Sequence, residues 1–194
     1  MWTMQTMATG ADDAQTCGSD LIRRLVAGEA AAFDEMANLY ASRIAALSYR
    51  LLGWSGDVDD VVQEVLMIVL QKAGDFRAES SLWTWLAAIT VNRCRDHQRR
   101  MRVRRFLSRG LSLLAPPADR AAMDDETAGQ VRVAVSALSP KLREVIVLYY
   151  LQGMSTAEIC EIVGASTSAV EVRLHRGRIQ LRSLLSKLSE ELKR

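Results

Sequence analysis

The chain has 194 residues, 49% of them hydrophobic and 25% charged, with a formal net charge of +2. That is room for two small domains, since domains usually run ~50 to 250 residues, and nothing approaches the ~20 apolar residues that a bilayer crossing needs. Three cysteines, Cys17, Cys94 and Cys160, lack CxxC or Cys–His spacing, which argues against a disulfide framework or a zinc site and suits a reducing cytoplasm.

The first nineteen residues, MWTMQTMATGADDAQTCGS, carry neither a basic n-region nor an apolar h-region, so no secretory signal is expected and residues 1–19 read as a loose tail. Helical periodicity then takes over. Phe33, Met36, Tyr40, Ile44, Leu47 and Leu51 recur every three or four residues, which puts one apolar stripe on a helix that Gly53 ends. Asp57 suits the N-cap of the next helix, with Asp59 and Asp60 at the positive end of its dipole. After Gly74 and Asp75 comes a polar loop, Phe76 to Ser81, and then a helix that can run from Leu82 past Arg100.

Charge is sharply divided along this stretch. From Asp57 to Asn92 there are six acids (Asp57, Asp59, Asp60, Glu64, Asp75, Glu79) against Lys72 and Arg77, whereas from Arg93 to Arg109 eight arginines face Asp96 alone. The basic segment is a footprint for phosphate. Its acidic neighbour needs a different partner.

Between Leu107 and Gln130 lie Gly110, Pro116, Pro117 and Gly129, which read as a linker, because Pro117 inside a helix would forfeit a hydrogen bond. The expected division is therefore a helical domain over 20–106, a linker over 107–130 and a second helical domain over 131–194. In the latter, Ser139-Pro140 fits a helix start, Gly153 a stop, Ser155 to Glu158 a capping box and Gly164 a C-cap. Ser166 begins the last helix. At ~100° per residue, Val170, Leu174, Gly177, Leu181 and Leu184 share its inward face, while Glu171, Val172, His175, Arg176 and Ile179 face outward with Arg173 at the edge. This is a helix-turn-helix pattern suited to a major groove. The fold class expected is all-α.

No catalytic motif is visible. His97 and His175 lie in Arg-rich helices, and HExxH, GxSxG and a phosphate-binding glycine loop are all missing, so neither an enzyme, a cofactor nor a metal is expected. Cys94 reads as a bystander thiol, although the neighbouring arginines could lower its pKa and make it a redox switch.

Three segments, AAAFDEMANLYASRIAALSYRLLG, GDVDDVVQEV with FRAESSLWTWLAAITVNRCRD, and LSPKLREVIVLYYLQGMSTAEICEIVGASTSAVEVRLHRGRIQLRSLL, carry a resemblance in order and in combination. The chain resembles the extracytoplasmic-function sigma factors, the bacterial RNA polymerase subunits that select promoters. The resemblance implies that Asp60, Gln63 and Glu64 contact the clamp helices of the largest polymerase subunit. It implies that the loop 76–81 accepts a flipped base of the −10 element, with Phe76, Ser80 and Asn92 as lining, Trp83 exposed nearby, Trp85 in the core, and Arg93, Arg95, Arg99 and Arg100 on phosphate. The last helix would read the −35 element through Ser166, Glu171, Val172, Arg173, His175 and Arg176.

At Glu171 the family pattern has Lys or Arg. A carboxylate there either reads cytosine N4 or merely closes a capping box with Ser168. The implied partners are core polymerase, with its clamp helices and the flap of the second-largest subunit, promoter DNA, and a cognate anti-sigma factor, with no membrane insertion. The competing class is a helix-turn-helix regulator that never becomes a polymerase subunit, or a sigma-like decoy.

Overall fold

The computed structural model describes residues 9–54, 58–108 and 126–191, over which the chain forms eight α-helices and no strand. Helices α1 (Thr9–Val26), α2 (Ala30–Leu51), α3 (Val58–Lys72) and α4 (Leu82–Ser108) form the N-terminal half. Helices α5 (Glu126–Ser136), α6 (Pro140–Ile146), α7 (Thr156–Val163) and α8 (Thr167–Glu191) form the other.

The apolar stripe of α2 does what its spacing predicts: Met36, Ile44, Leu47 and Leu51 are buried and Phe33 and Tyr40 pack against them. Val61, Val65 and Val69 of α3, one turn apart, meet Leu86, Ala87 and Val91 of α4 in the same core. Gly53 stands at φ +78° and turns the chain after α2. The Asp57 cap lies outside the described residues, as do the two prolines of the expected linker.

The expected tail is the first correction, because residues 9–19 belong to α1. Leu21, Ile22 and Leu25 anchor this helix in the core, and Gly18 lets it approach α4 so closely that an added Cβ would stand 2.9 Å from Leu82 Cβ. Burial of these three side chains, each worth roughly 1.5–3 kcal/mol, offsets the entropy of ordering the helix. The linker is also narrower than expected. Helix α4 continues through Ser108 and α5 opens at Glu126, so 107–108 and 126–130 are helical.

In the C-terminal half, Ser139 caps α6 through its carbonyl, with Pro140 in the first turn. A π-helical turn over Val147–Leu151 follows and leaves Tyr149, Tyr150 and Leu151 exposed. The capping box at Ser155 forms with both bonds, and Gly164 ends α7 in the left-handed region. Val170, Leu174 and Gly177 turn inward along α8, with Leu181 and Leu184 partly buried. Gly177 is needed for contact with α6, since a Cβ there would come within 2.7 Å of Ile146 Cγ1.

The two halves touch. Helix α7 packs on α4, and α6 on α2. Arg143 of α6 reaches across to donate to Leu51 O (3.0 Å) at the C-terminal end of α2, where Gln98 also donates (2.9 Å). It lies over Gly53, where any Cβ would collide with Arg143 Nη1 at 2.8 Å. Cations at a helix C-terminus are stabilised by unpaired carbonyls, although burial lowers the pKa of this guanidinium.

Candidate nucleic-acid and polymerase interface

Helix α3 presents Asp60 and Gln63 to solvent, and Glu64 half-buried beside them. Val61, Val65 and Val69 hold the opposite face in the core, so the acidic side has nowhere to turn but outward. Glu64 is also ion-paired: its two carboxylate oxygens lie 3.0 and 3.2 Å from Arg100 Nη2. The exposed Met67 and Leu70 extend this face by a turn.

All four arginines that the resemblance aims at phosphate have acidic partners within the chain. Arg93 pairs with Asp96 at 2.6 Å, Arg99 reaches the same carboxylate at 3.7 Å, and Arg100 meets Glu64. Arg95 is held most firmly, donating from Nε and Nη2 to Glu144 at 2.9 and 2.7 Å in a bidentate pair. That bond outweighs the burial that opposes charge on Arg95, and raises its pKa. Asn92 is exposed and accepts from Arg95 Nη1 at 3.3 Å.

The loop after α3 opens a small polar cavity of about 120 Å³ between Phe76, Ser80, Glu79 and Trp85, and Glu161 of α7 closes one side. Phe76 and Trp85 form its aromatic wall, with ring centroids 5.5 Å apart and planes tilted by 58°. Ala78 stands at φ +55°, a strained conformation for a residue with a Cβ. Ser80 donates to Glu161 at 2.7 Å.

The two neighbouring tryptophans exchange the places expected of them. Trp83 is only 8% exposed, stacked on Tyr40 (centroids 6.4 Å apart, planes within 7°) under the Arg43 guanidinium at 3.9 Å. Burial lowers the Arg43 pKa, and the Trp83 Nε1 hydrogen is buried without a partner. A ring sandwiched in this way cannot stack on a base. Trp85 lies half-buried at the cavity and can. The period of α4 could not separate them, since positions 83 and 85 fall on different faces and either face could meet α2.

On α8 the outward residues stand where periodicity put them: Glu171, Val172, His175 and Arg176 are exposed, and Arg173 is half-buried. Ser166 caps this helix, its hydroxyl accepting from Ala169 N at 3.3 Å. Ser168 therefore lies inside the helix rather than at its cap, and the capping role considered for Glu171 has no cap residue to close with. Cys94 is buried, and desolvation pushes its thiol up to about 12. Burial thus works against the ionisation that a redox switch would need.

Sequence reasoning missed the acids Glu144, Glu158 and Glu161 as site neighbours, together with Thr84 and Arg143. Their partners lie 49 to 92 residues away in the chain, and no local pattern carries such pairings.

Two regions of the chain match known family models: residues 36–105 match sigma-70 region 2 and residues 128–181 match sigma-70 region 4. These define a two-module protein of the sigma-70 class. The ECF RNA polymerase sigma factor SigM of Mycobacterium tuberculosis is 31% identical over 88% of this chain and 86% of its own length. SigW of Bacillus subtilis is 29% identical over 86% and 96%.

Among solved structures, CnrH in complex with the cytosolic domain of CnrY superposes with a TM-score of 0.63, 28% identity and coverage of 88% and 97%. The sigma factor RpoE of Bartonella quintana, in complex with the anti-sigma factor NepR, gives 0.63, 26%, 79% and 96%. The chain belongs to the ECF RNA polymerase sigma factors, and it is a transcription initiation factor.

Proposed function

We propose that this sigma factor binds core polymerase through the acidic face of α3, captures the −10 element in the α3–α4 loop and reads the −35 element with α8. The observation that carries the reading is the division of labour along one chain: carboxylates face outward on α3, an aromatic-walled polar cavity follows, and α8 exposes its polar arc. Extruding a base costs a few kcal/mol, and stacking on an aromatic wall returns ~1 to 3 kcal/mol per base. Phe76 and Trp85 supply that wall with Ser80 as a hydrogen-bonding group, whereas Asn92, expected in the lining, lies outside it and accepts from Arg95. Arg93, Arg95, Arg99 and Arg100 neutralise phosphate once their carboxylate partners are displaced.

The exposed Tyr149, Tyr150 and Leu151 suit an apolar partner such as the polymerase flap. A solved relative bound to an anti-sigma factor supports control of this chain by a protein of the same kind, and such a partner would act in the cytoplasm, where the polymerase is.

The −35 assignment is tested at the position that departs from the family. Holoenzyme carrying Glu171→Lys, selected on a promoter pool randomised across the −35 element, should change its preferred base at one position, because a good base contact carries ~1 to 3 kcal/mol of discrimination. Arg173→Ala should instead weaken binding to all sequences alike and reduce the salt dependence. An unchanged preference profile in Glu171→Lys would remove Glu171 from base reading. Sequence-specific binding without polymerase, and no initiation with it, would favour the stand-alone regulator.

A further inference from the structure

We propose that Val172 is a specificity-determining residue of α8 that packs on the C5 methyl group of one thymine in the −35 element, so that promoter choice by this sigma factor depends on a methyl group. The inference deepens the reading of α8 given above and rests on it.

Val172 is 48% exposed and stands apart from the core, whose contacts along α8 are made by Val170, Leu174 and the close approach of Gly177 to Ile146. A β-branched residue is a poorer helix former than the long polar residues usual on a solvated face. The valine therefore weakens the helix slightly and does not join the packing, which points to a contact outside the chain.

Its surroundings select that contact. His175 and Arg176, three and four residues on, stand beside it on the same exposed arc, and a basic frame of this kind suits nucleic acid. Glu171 repels phosphate, so the stretch 171–172 belongs over base edges and not over backbone. Recognition helices bring their N-terminal part to those edges, and Val172 lies in the second turn after the Ser166 cap. Ile179, the other exposed apolar residue of the arc, is two turns and ~10 Å further along the axis, beyond that part.

The apolar group that a base edge offers in the major groove is the thymine methyl. Valine has no side-chain donor or acceptor with which to read anything else. Its two methyl groups are held in one preferred χ1 setting in a helix, so the contact costs little side-chain entropy.

The test uses holoenzyme assembled from core polymerase and the full chain. A promoter selected from a pool randomised across the −35 element is rebuilt with each −35 thymine, on either strand, replaced singly by deoxyuridine, which removes the methyl and keeps the base pairing. At one position this should weaken binding about 3- to 5-fold, the change expected when one buried methyl is lost. At the same position 5-methylcytosine should bind more tightly than cytosine by a similar factor. Val172→Ala should bind the thymine and uracil forms alike, whereas Val172→Ile should keep the preference.

A sensitivity to uracil that persists in Val172→Ala would give the methyl to another residue and overturn the proposal, as would a selected −35 element with no thymine on either strand. A clear −35 preference that ignores uracil at every position would remove Val172 from base reading and leave the reading of α8 standing. If the pool yields no −35 preference at all, the reading of α8 is what fails, and the methyl contact falls with it.

Discussion

Reversing Asp60 and Glu64 together to lysine should remove co-purification with core polymerase and leave the helical circular dichroism spectrum unchanged. The two carboxylates are four residues apart on one face of α3, and that face is turned away from the Val61, Val65 and Val69 contacts. Replacing a charge that pairs across an interface costs about 2 to 5 kcal/mol. Two such changes, with repulsion added, correspond to a loss of at least ~100-fold at 1.4 kcal/mol per tenfold.

The fold has little at stake. Glu64 gives up only its pair with Arg100, whose side chain is 52% exposed, and surface pairs of this kind are worth ~0 to 1 kcal/mol. Polymerase affinity within threefold of wild type in the double variant would remove α3 as the anchor.

Trp83→Ala and Trp85→Ala should separate stability from function. Trp83 is packed between Tyr40 and Arg43 in the core, so truncation leaves a cavity costing about 3 to 5 kcal/mol. For a helical half of this size the melting temperature should fall by roughly 15 °C or more, at ~4 to 8 °C per kcal/mol. Trp85→Ala should shift it by far less, because the ring is already half open to the cavity.

In holoenzyme the order is reversed at the DNA. Trp85→Ala, like Ala at Phe76, should keep duplex −35 binding and lower permanganate reactivity of thymines in the −10 element. Equal reactivity in Trp85→Ala and wild type would show that the ring contacts no base. A Trp83→Ala protein as stable as wild type would contradict the packing described for it.

These two residues also mark where the sequence stopped being readable. Spacing within one helix sufficed for the stripe of α2, the inward face of α8 and the capping box at Ser155, because each depends only on neighbours three or four residues away. The choice between Trp83 and Trp85 depends on which face of α4 meets α2, and that is settled by packing against Tyr40 and Arg43. The α1 helix was missed for a related reason. Its polar N-terminal run reads as tail, and only contact of Leu21, Ile22 and Leu25 with the core makes it worth ordering.

The site shows the same boundary. The run of eight arginines from Arg93 to Arg109 was legible as a footprint for phosphate, and the resemblance singled out Arg93, Arg95, Arg99 and Arg100 within it. The pairing of Arg95 with Glu144 and of Arg100 with Glu64 was not legible, since those acids come from other helices.

Run-off transcription with core RNA polymerase on a promoter library randomised through both the −10 and −35 elements tests the account most directly. Added to core enzyme, the wild-type chain should initiate from one class of promoters sharing both elements. Asp60→Lys/Glu64→Lys should initiate from none, and Glu171→Lys should shift only the −35 preference. Binding of the chain to DNA with no polymerase-dependent transcript from any member of the library would contradict it.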